Sequence, residues 1–311
     1  MSTVFLYAGQ GSQKVGMGKD FYETYPEYRE FIDSLQVGID LKTLMHEGPL
    51  EELSKTENTQ ACMAAFAAGV TRLLVQNGIV PDKACGLSLG EYGALYAAGV
   101  FSALDYVRLT AFRGRVMMEA AKGTTCAMSA VLGAESSLVE EVCSAYTGKG
   151  FITVANYNCP GQVVICGDEE AVAETEAAFR DRGVRRCVRL NVSGPFHTKY
   201  MQPAGEALRG YFAHMDFRKP EIPVLLNVTG DYYRDGDSLK ELLVKQVQSS
   251  VRLEDQLKKL VEEGADLFVE IGPGNTIAGF LKKTAKALNR DIRVVSIDTA
   301  DDLNKLIGAN A

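Results

Sequence analysis

Residues 86–90 of this chain read Gly-Leu-Ser-Leu-Gly and fit the G-x-S-x-G pattern of a nucleophile elbow. In such an elbow the chain leaves a strand, turns sharply and enters a helix, with a serine exposed at the turn. Glycine on each side leaves room for the strained backbone and for a substrate at the hydroxyl. The flanking sequence agrees, because residues 91–98 are rich in helix formers and are followed by Gly99. The pattern therefore predicts a strand–serine–helix turn with Ser88 as the candidate nucleophile.

The composition is that of a globular protein in a reducing compartment. The 311 residues suffice for one large domain with a smaller insertion, and the net charge of −7 argues against general nucleic-acid binding. The seven cysteines include no C-x-x-C pair, so neither disulfides nor a zinc site is indicated. There is no basic leader and no apolar run long enough for a membrane span. We expect a cytoplasmic monomer without a metal, redox cofactor, nucleic-acid partner or membrane partner.

Strand and helix patterns alternate along the chain and predict an α/β fold. Outside the middle of the chain, strands are predicted over 3–8, 224–228 and 267–271, and helices over 21–35, 61–76, 102–121, 239–246 and 253–263. Repeated alternation of this kind implies a mainly parallel sheet with helices on both faces.

The pattern changes over residues 124–193. Strands are predicted over 125–132, 151–155, 162–166 and 185–192, and helices over 136–146 and 169–182. This β-α-β-β-α-β order is that of a ferredoxin-like unit. We therefore expect a small domain at 124–193, inserted into a large catalytic domain formed by 1–123 and 194–311.

A serine needs a base to act as a nucleophile, and the chain has only three histidines, His46, His197 and His214. His197 lies where the small domain would return to the large one, and such a junction is a usual place for a cleft. In α/β-hydrolases the catalytic histidine follows the acid near the end of the chain, and none follows His214 here. A Ser–Asp pair using Asp235 stays open as an alternative.

A set of ordered motifs extends over nearly the whole chain. They are Gly-Gln-Gly-Ser-Gln at 9–13, Gly-Leu-Ser-Leu-Gly-Glu at 86–91, Ala-Phe-Arg-Gly at 111–114, Asn-Tyr-Asn-Cys-Pro-Gly-Gln at 156–162, Gly-Pro-Phe-His at 194–197, Asn-Val-Thr-Gly at 227–230 and Glu-Ile-Gly-Pro-Gly at 270–274. With these motifs the chain resembles the malonyl-CoA:acyl carrier protein transacylases of fatty-acid synthesis. The resemblance implies an α/β-hydrolase-like large domain with a ferredoxin-like insertion.

The resemblance also implies a two-step acyl transfer. Ser88 would attack the thioester of malonyl-CoA with His197 as the general base, and the malonyl-serine would pass its acyl group to the phosphopantetheine thiol of an acyl carrier protein. Gln246 matches the family position whose backbone carbonyl orients the histidine. The backbone N–H groups of Gln10 and Leu89 would form the oxyanion hole. CoA is thus a substrate, and phosphopantetheine arrives on the partner.

Two further residues would select the acyl group. By the resemblance, Arg113 would bind the free malonyl carboxylate, which suits the two parallel donors of a guanidinium. Phe196 matches the form of the motif that disfavours a branched methylmalonyl group. The family usually has histidine before the serine, where this chain has Leu87. A stand-alone acyltransferase of a polyketide synthase and a hydrolase of acyl-carrier thioesters remain as alternatives.

The expected protein partner is the acyl carrier protein. Carrier proteins are acidic, so a basic patch on this acidic chain could guide their docking. The candidate residues in the small domain are Arg180, Arg182, Arg185, Arg186 and Arg189.

Overall fold

The computed structural model describes residues 2–191 and 194–310. The strands are β1 (Thr3–Tyr7), β2 (Lys83–Gly86), β3 (Cys126–Leu132), β4 (Ile152–Cys159), β5 (Gln162–Asp168), β6 (Arg186–Arg189), β7 (Leu225–Leu226), β8 (Asp231–Tyr232), β9 (Val251–Arg252), β10 (Leu267–Ile271) and β11 (Val294–Ile297). The helices are α1 (Lys19–Thr24), α2 (Pro26–Ser34), α3 (Leu41–His46), α4 (Leu50–Leu53), α5 (Thr56–Gln76), α6 (Leu89–Ala97), α7 (Ala103–Ala121), α8 (Ser136–Ser144), α9 (Glu169–Asp181), α10 (Gln202–Phe212), α11 (Leu239–Gln246), α12 (Leu253–Glu262), α13 (Thr276–Ala287) and α14 (Ala300–Asn310).

The larger part of the molecule is built on a parallel sheet. Among the described residues this sheet has four strands in the order β11-β10-β1-β2. Every residue of β1 and β10 is buried, as expected for parallel strands covered on both faces. The long, alanine-rich α5 packs closely against α7, where a Cβ atom at Gly114 would lie 2.7 Å from the carbonyl oxygen of Thr56. Because β1 and β2 are parallel neighbours, their carboxyl ends lie side by side at the same end of the sheet.

Two predicted elements of the larger part are interrupted or reduced. The helix over 21–35 is interrupted at Tyr25, because a residue before proline disfavours helical geometry and Pro26 starts a new helix. The strand over 224–228 is reduced to β7, since the chain turns back at Gly230 (φ 65°) and pairs with β8. A parallel bridge between Ala84 and Val224 still places this segment beside β2.

The middle of the chain forms a second, antiparallel sheet. Its elements follow the order β3-α8-β4-β5-α9-β6, and the strand order is β6-β3-β5-β4, a ferredoxin-like arrangement. The short β9, from the other side of the sequence, pairs in parallel with β4. The expected fold class, an α/β-hydrolase-like part with a mainly parallel sheet and an inserted ferredoxin-like part, is confirmed. Val192, the predicted end of the last strand, lies outside the described residues.

The two faces of the antiparallel sheet have different environments. Side chains such as Val131, Val163 and Ile165 pack with α8 and α9 in a separate apolar core. The alternate positions, among them Met128 and Val164, face the larger part of the molecule. The space between the two sheets is the natural location of a site.

Among the described residues, every helix is too short or too polar to cross a membrane.

Candidate active site

The chain turns at Ser88 between the end of β2 and the start of α6, as the motif predicts. Ser88 has φ 53° and ψ −99°, a strained conformation for a residue with a side chain. Close backbone contacts require the two glycines. A Cβ atom at Gly90 would lie 2.0 Å from the carbonyl oxygen of Tyr7 in β1, and one at Gly86 would lie 2.1 Å from the carbonyl carbon of Gly90. The elbow thus fits tightly against a buried strand, which fixes the position of the serine.

Ser88 and His197 form a hydrogen-bonded pair. The Ser88 Oγ and His197 Nε2 atoms are 2.7 Å apart, and His197 Nδ1 lies 3.0 Å from the backbone carbonyl oxygen of Gln246. Because a carbonyl oxygen can only accept, Nδ1 carries the hydrogen and the lone pair of Nε2 faces the serine. This is the tautomer that a general base needs.

The surroundings keep His197 neutral. The ring is buried, and burial lowers the pKa of His197 to about 4, with the positive charge of Arg113 as the second cause. The hydrogen bond to the Gln246 carbonyl acts in the opposite direction. At neutral pH the imidazole is therefore free to take the serine proton.

Arg113 projects from α7 into the same site and is 1 % exposed. Its Nη2 atom lies 3.1 Å from Ser88 Oγ and 3.0 Å from Oε1 of Gln246. Its Nη1 atom donates to Oε1 of Gln60 at 2.8 Å. The guanidinium also lies over the ring of Tyr92, 5.2 Å from the ring centre. These contacts fix the guanidinium beside the nucleophile.

The charge of Arg113 has no bonded counter-charge. The acceptors of its side-chain hydrogen bonds within the described residues are all neutral, and its Nε is buried with no partner there. The nearby Glu91 is fully buried, which raises the pKa of its carboxyl to about 8, and it accepts the backbone N–H of Asn227 at 2.5 Å. A buried cation held only by neutral groups is suited to bind an anionic group of a ligand.

Two backbone N–H groups near the serine are unused. Leu89 is the first residue of α6, where amides have no acceptor within the helix, and Gln10 follows β1 at the same sheet edge. In the part of the chain that the structure describes, neither amide donates a hydrogen bond. The Gln10 side chain is fixed by donation to Oγ1 of Thr56 at 3.0 Å.

A cleft of about 360 Å³ opens at this site. Ser88, His197 and Arg113 line it, together with Gln10. Phe196, 6 % exposed, also lines it directly beside the base. The opposite wall comes from the antiparallel part and is formed by Met128, Ala130, Asn156, Asn158, Gln162, Val164, Leu190 and Asn191. Leu87, which precedes the serine, also lines the cleft and adds apolar surface there.

The remaining candidates lie elsewhere. Asp235 forms a surface ion pair with Lys219 at 2.8 Å and does not line the cleft. The alternative prediction of a catalytic Ser–Asp pair using Asp235 is therefore wrong. His46 packs against the ring of Tyr22, and His214 is exposed. Within residues 2–191 and 194–310, no cluster of three or more histidine, cysteine, aspartate or glutamate side chains could hold a metal ion.

Three buried polar residues of the site were not predicted. Gln60 contacts Arg113, while Asn227 and Glu91 lie beneath the elbow. Each stands in or beside an otherwise apolar run, and a polar residue at such a position is the signal that could have indicated them. Gln246 was expected for its carbonyl alone, but its side chain also donates to the Ser88 carbonyl at 2.7 Å.

Comparison with known proteins agrees with this geometry. A malonyl CoA-acyl carrier protein transacylase of Bacillus subtilis is 37 % identical over 306 residues, covering 97 % of this chain and 95 % of that protein. A crystal structure of malonyl-CoA:acyl carrier protein transacylase from Xanthomonas oryzae superimposes with a TM-score of 0.92 and 37 % identity, over 99 % and 98 % of the two chains. A malonyl-transacylase solved with a type II polyketide-synthase acyl carrier protein reaches 0.93 and 30 % identity, over 100 % of each chain.

The family model described as the acyl transferase domain matches residues 4–302, nearly the entire chain. The match contains the elbow serine, the histidine and the buried arginine, which the fold brings to one cleft. From this match, and from relatives that are similar over almost their full length, we conclude that the chain belongs to the acyl transferase domain family.

Proposed function

We propose that this chain is a malonyl-CoA:acyl carrier protein transacylase of fatty-acid biosynthesis. The observation that carries the proposal is a buried guanidinium 3.1 Å from a serine that is paired with a neutral histidine. No carboxylate in the described part of the chain bonds that guanidinium. The dyad suits acyl transfer, and the guanidinium suits an acyl group that ends in a carboxylate. Proteins that are similar over more than nine-tenths of this chain are named for this activity.

In the first half-reaction His197 Nε2 takes the proton of Ser88 as Oγ attacks the thioester carbonyl of malonyl-CoA. The unused N–H groups of Gln10 and Leu89 stabilise the oxyanion of the tetrahedral intermediate. When the C–S bond breaks, the protonated His197 gives its proton to the CoA thiolate, and a malonyl ester remains on Ser88. The carbonyl of Gln246 holds the imidazole in one orientation throughout.

The second half-reaction repeats these steps in reverse with a new thiol. His197 takes the proton of the phosphopantetheine thiol, the thiolate attacks the malonyl ester, and Ser88 recovers its proton as it leaves. Neither half-reaction requires a metal or a bound cofactor, since the thioester supplies the activated acyl group.

Arg113 and Phe196 select the acyl group. A carboxylate on Arg113 replaces neutral acceptors with a charge-assisted, two-point contact, whereas an acetyl group leaves the buried cation unpaired. Phe196 stands beside His197 in the cleft, where its ring limits the space for a branched methylmalonyl group. The same arginine argues against a role as a thioester hydrolase, which has no need to hold a carboxylate.

The carrier protein docks on the basic end of the antiparallel part. Arg180, Arg185 and Arg186 are exposed, and no ion pair involves them within the described residues. Arg182 and Arg189 are bound to Glu141 and Glu176. Strand β6 carries two of these arginines and leads directly to Leu190 and Asn191 at the cleft. A phosphopantetheine arm on a carrier bound there has a short path to Ser88.

The test is the intact mass of the protein after mixing with malonyl-CoA and, separately, with acetyl-CoA. We expect a malonyl adduct, little acetyl adduct, and neither in Ser88→Ala. In Arg113→Ala the preference for malonyl should decrease at least about tenfold, because loss of a charged hydrogen-bond pair costs on the order of 1.5–3 kcal/mol. Transfer of the adduct to a holo carrier protein, measured against free malonate, separates transfer from hydrolysis. Equal labelling by both thioesters would contradict the proposal.

A further inference from the structure

The carboxamide of Asn227 spans the turn that carries the nucleophile. Asn227 directly follows β7 and is fully buried. Its Oδ1 accepts the backbone N–H of Ser88 at 2.8 Å, and its Nδ2 donates to the carbonyl oxygen of Gly86 at 2.8 Å. The two bonds hold the residues on either side of Leu87, so one side chain closes the strained turn from below.

The same carboxamide reaches the segment that orients the base. Nε2 of Gln246 donates to Oδ1 of Asn227 at 3.3 Å and to the backbone carbonyl of Ser88 at 2.7 Å. The backbone carbonyl of Gln246 in turn accepts Nδ1–H of His197. Asn227 is therefore bonded to the nucleophile residue and to the residue that holds the histidine.

Asn227 is itself firmly anchored. Its N–H donates to Oε2 of Glu91 on α6, and its carbonyl accepts the N–H of Arg252 at 2.9 Å. It does not line the cleft, so a bound substrate does not touch it. A neutral carboxamide that contacts the dyad from outside the cleft can affect the reaction by holding the dyad in place.

We propose that Asn227 is the positioning residue of the acyl transfer, setting the Ser88–His197 geometry from beneath the elbow. The substrate named in this inference rests on the proposed function, whereas the geometry around Asn227 does not depend on it. The position needs a side chain that accepts on one side and donates on the other, which asparagine does and an ionised aspartate does not. A misplaced reacting group costs on the order of 100-fold in rate.

The test is Asn227→Asp, which keeps the shape and removes the donor. In its ionised form the carboxylate cannot donate to the Gly86 carbonyl and repels it. We expect kcat for malonyl transfer to fall about 10- to 100-fold while KM for malonyl-CoA stays within about twofold. As the pH falls and the carboxyl gains a proton, it can donate again, so kcat of the variant relative to the wild type should recover.

The wild type is the reference at each pH, because the variant leaves the other titratable groups of this network in place. They are Cys85, Glu91, Arg113 and His197. Gln256→Met is the matched control, since Gln256 is a fully buried amide on α12 that does not line the cleft. We expect it to change stability without the pH-dependent loss of kcat.

A second readout is the rate at which a fluorophosphonate labels Ser88, which depends on the dyad and not on malonyl recognition. It should fall in Asn227→Asp in parallel with kcat. If the wild type is labelled but transfers no malonyl, the proposed function fails and the labelling rates alone decide the role of Asn227. If Asn227→Asp does not fold, Asn227→Ser is expected to show the same kcat loss. Unchanged kcat and labelling at every pH, or a loss confined to KM, would overturn the inference.

Discussion

At the scale of single residues, the most unusual group is the guanidinium of Arg113. Moving a charge out of water is costly unless hydrogen bonds and an opposite charge replace the solvent. Here two glutamine carboxamides and the serine hydroxyl supply hydrogen bonds, and the face of Tyr92 supplies a favourable ring field. Within residues 2–191 and 194–310, no carboxylate bonds the guanidinium. In the proposed function the carboxylate of a malonyl group would complete the set, and the substrate would thereby stabilise the site that binds it.

The same charge sets the pH range of the base. His197 must be neutral to act, and its pKa is lowered to about 4 by burial and by Arg113. The rate of Ser88 labelling by a fluorophosphonate should therefore stay level from neutral pH downward and decline only as the pH falls through about 4. Arg113→Met removes the positive charge, so its decline should begin at higher pH. A wild-type midpoint near 6.5, the ordinary histidine value, would contradict this assignment.

Which residues the sequence could indicate follows from how local their signals are. Ser88 and His197 lie in short motifs with a glycine or proline signature, and Arg113 lies in a motif of its own. The bond from Ser88 N–H to Asn227 joins residues 139 positions apart, and no local pattern contains such a pair. Because burial and partner are properties of the folded chain, the supporting amides could not be assigned roles from the sequence.

At the scale of elements, the elbow is a close contact between three pieces of backbone: β1, the turn after β2, and the first turn of α6. The motif predicted this strand–turn–helix, because glycine is needed wherever backbones approach closely. The motif does not encode which strand the turn approaches. That partner is β1, whose Tyr7 carbonyl leaves no space for a side chain at Gly90, while the first turn of α6 leaves none at Gly86.

Gly90→Ala should be strongly destabilising. The new Cβ atom would lie 2.0 Å from the backbone oxygen of Tyr7, and neither β1 nor α6 can move without disturbing the sheet. We expect a loss of about 3 kcal/mol in the free energy of unfolding, measured by chemical denaturation. The control is Gly279→Ala on the exposed side of α13, where no atom lies within 4 Å of the added Cβ. It should stabilise by about 0.5–1 kcal/mol. Equal stabilities would show that the elbow is not tightly fitted.

At the scale of the whole molecule, the cleft lies between two sheets with different tasks. The part of the molecule built on the parallel sheet presents the serine, the histidine and the arginine, and the antiparallel sheet supplies the facing wall. Alternating strands and helices predicted both units, but β8, β9 and β11 were not predicted as strands, since two to four residues carry too little pattern. Their positions are set by strand pairing instead.

The proposed docking of the carrier protein depends on the charge of the surface beside the cleft. Reversing the charge at Arg185 and Arg186 removes positive potential beside the cleft, so KM for the carrier should rise on the order of tenfold at low salt while KM for malonyl-CoA is unchanged. Steady-state transfer assays at two salt concentrations measure this. Arg290→Glu with Arg293→Glu is the control, because these exposed arginines lie just before β11. That strand forms the edge of the parallel sheet opposite β2, which carries the serine turn. An equal rise for both substrates would argue against the docking site.

The pairing of β9 with β4 has a consequence for how this family can exchange parts. Residues 251–252 belong in sequence to the larger part, yet they complete the edge of the antiparallel sheet, and Ser250 Oγ donates to the Val154 carbonyl at 2.6 Å. Gln246 lies only a few residues earlier. A chimera that exchanges the inserted segment alone would pair a foreign β4 with the native β9. That strand closely follows Gln246, whose backbone carbonyl binds the histidine. A chimera that preserves these contacts should therefore exchange the insertion together with residues 246–252.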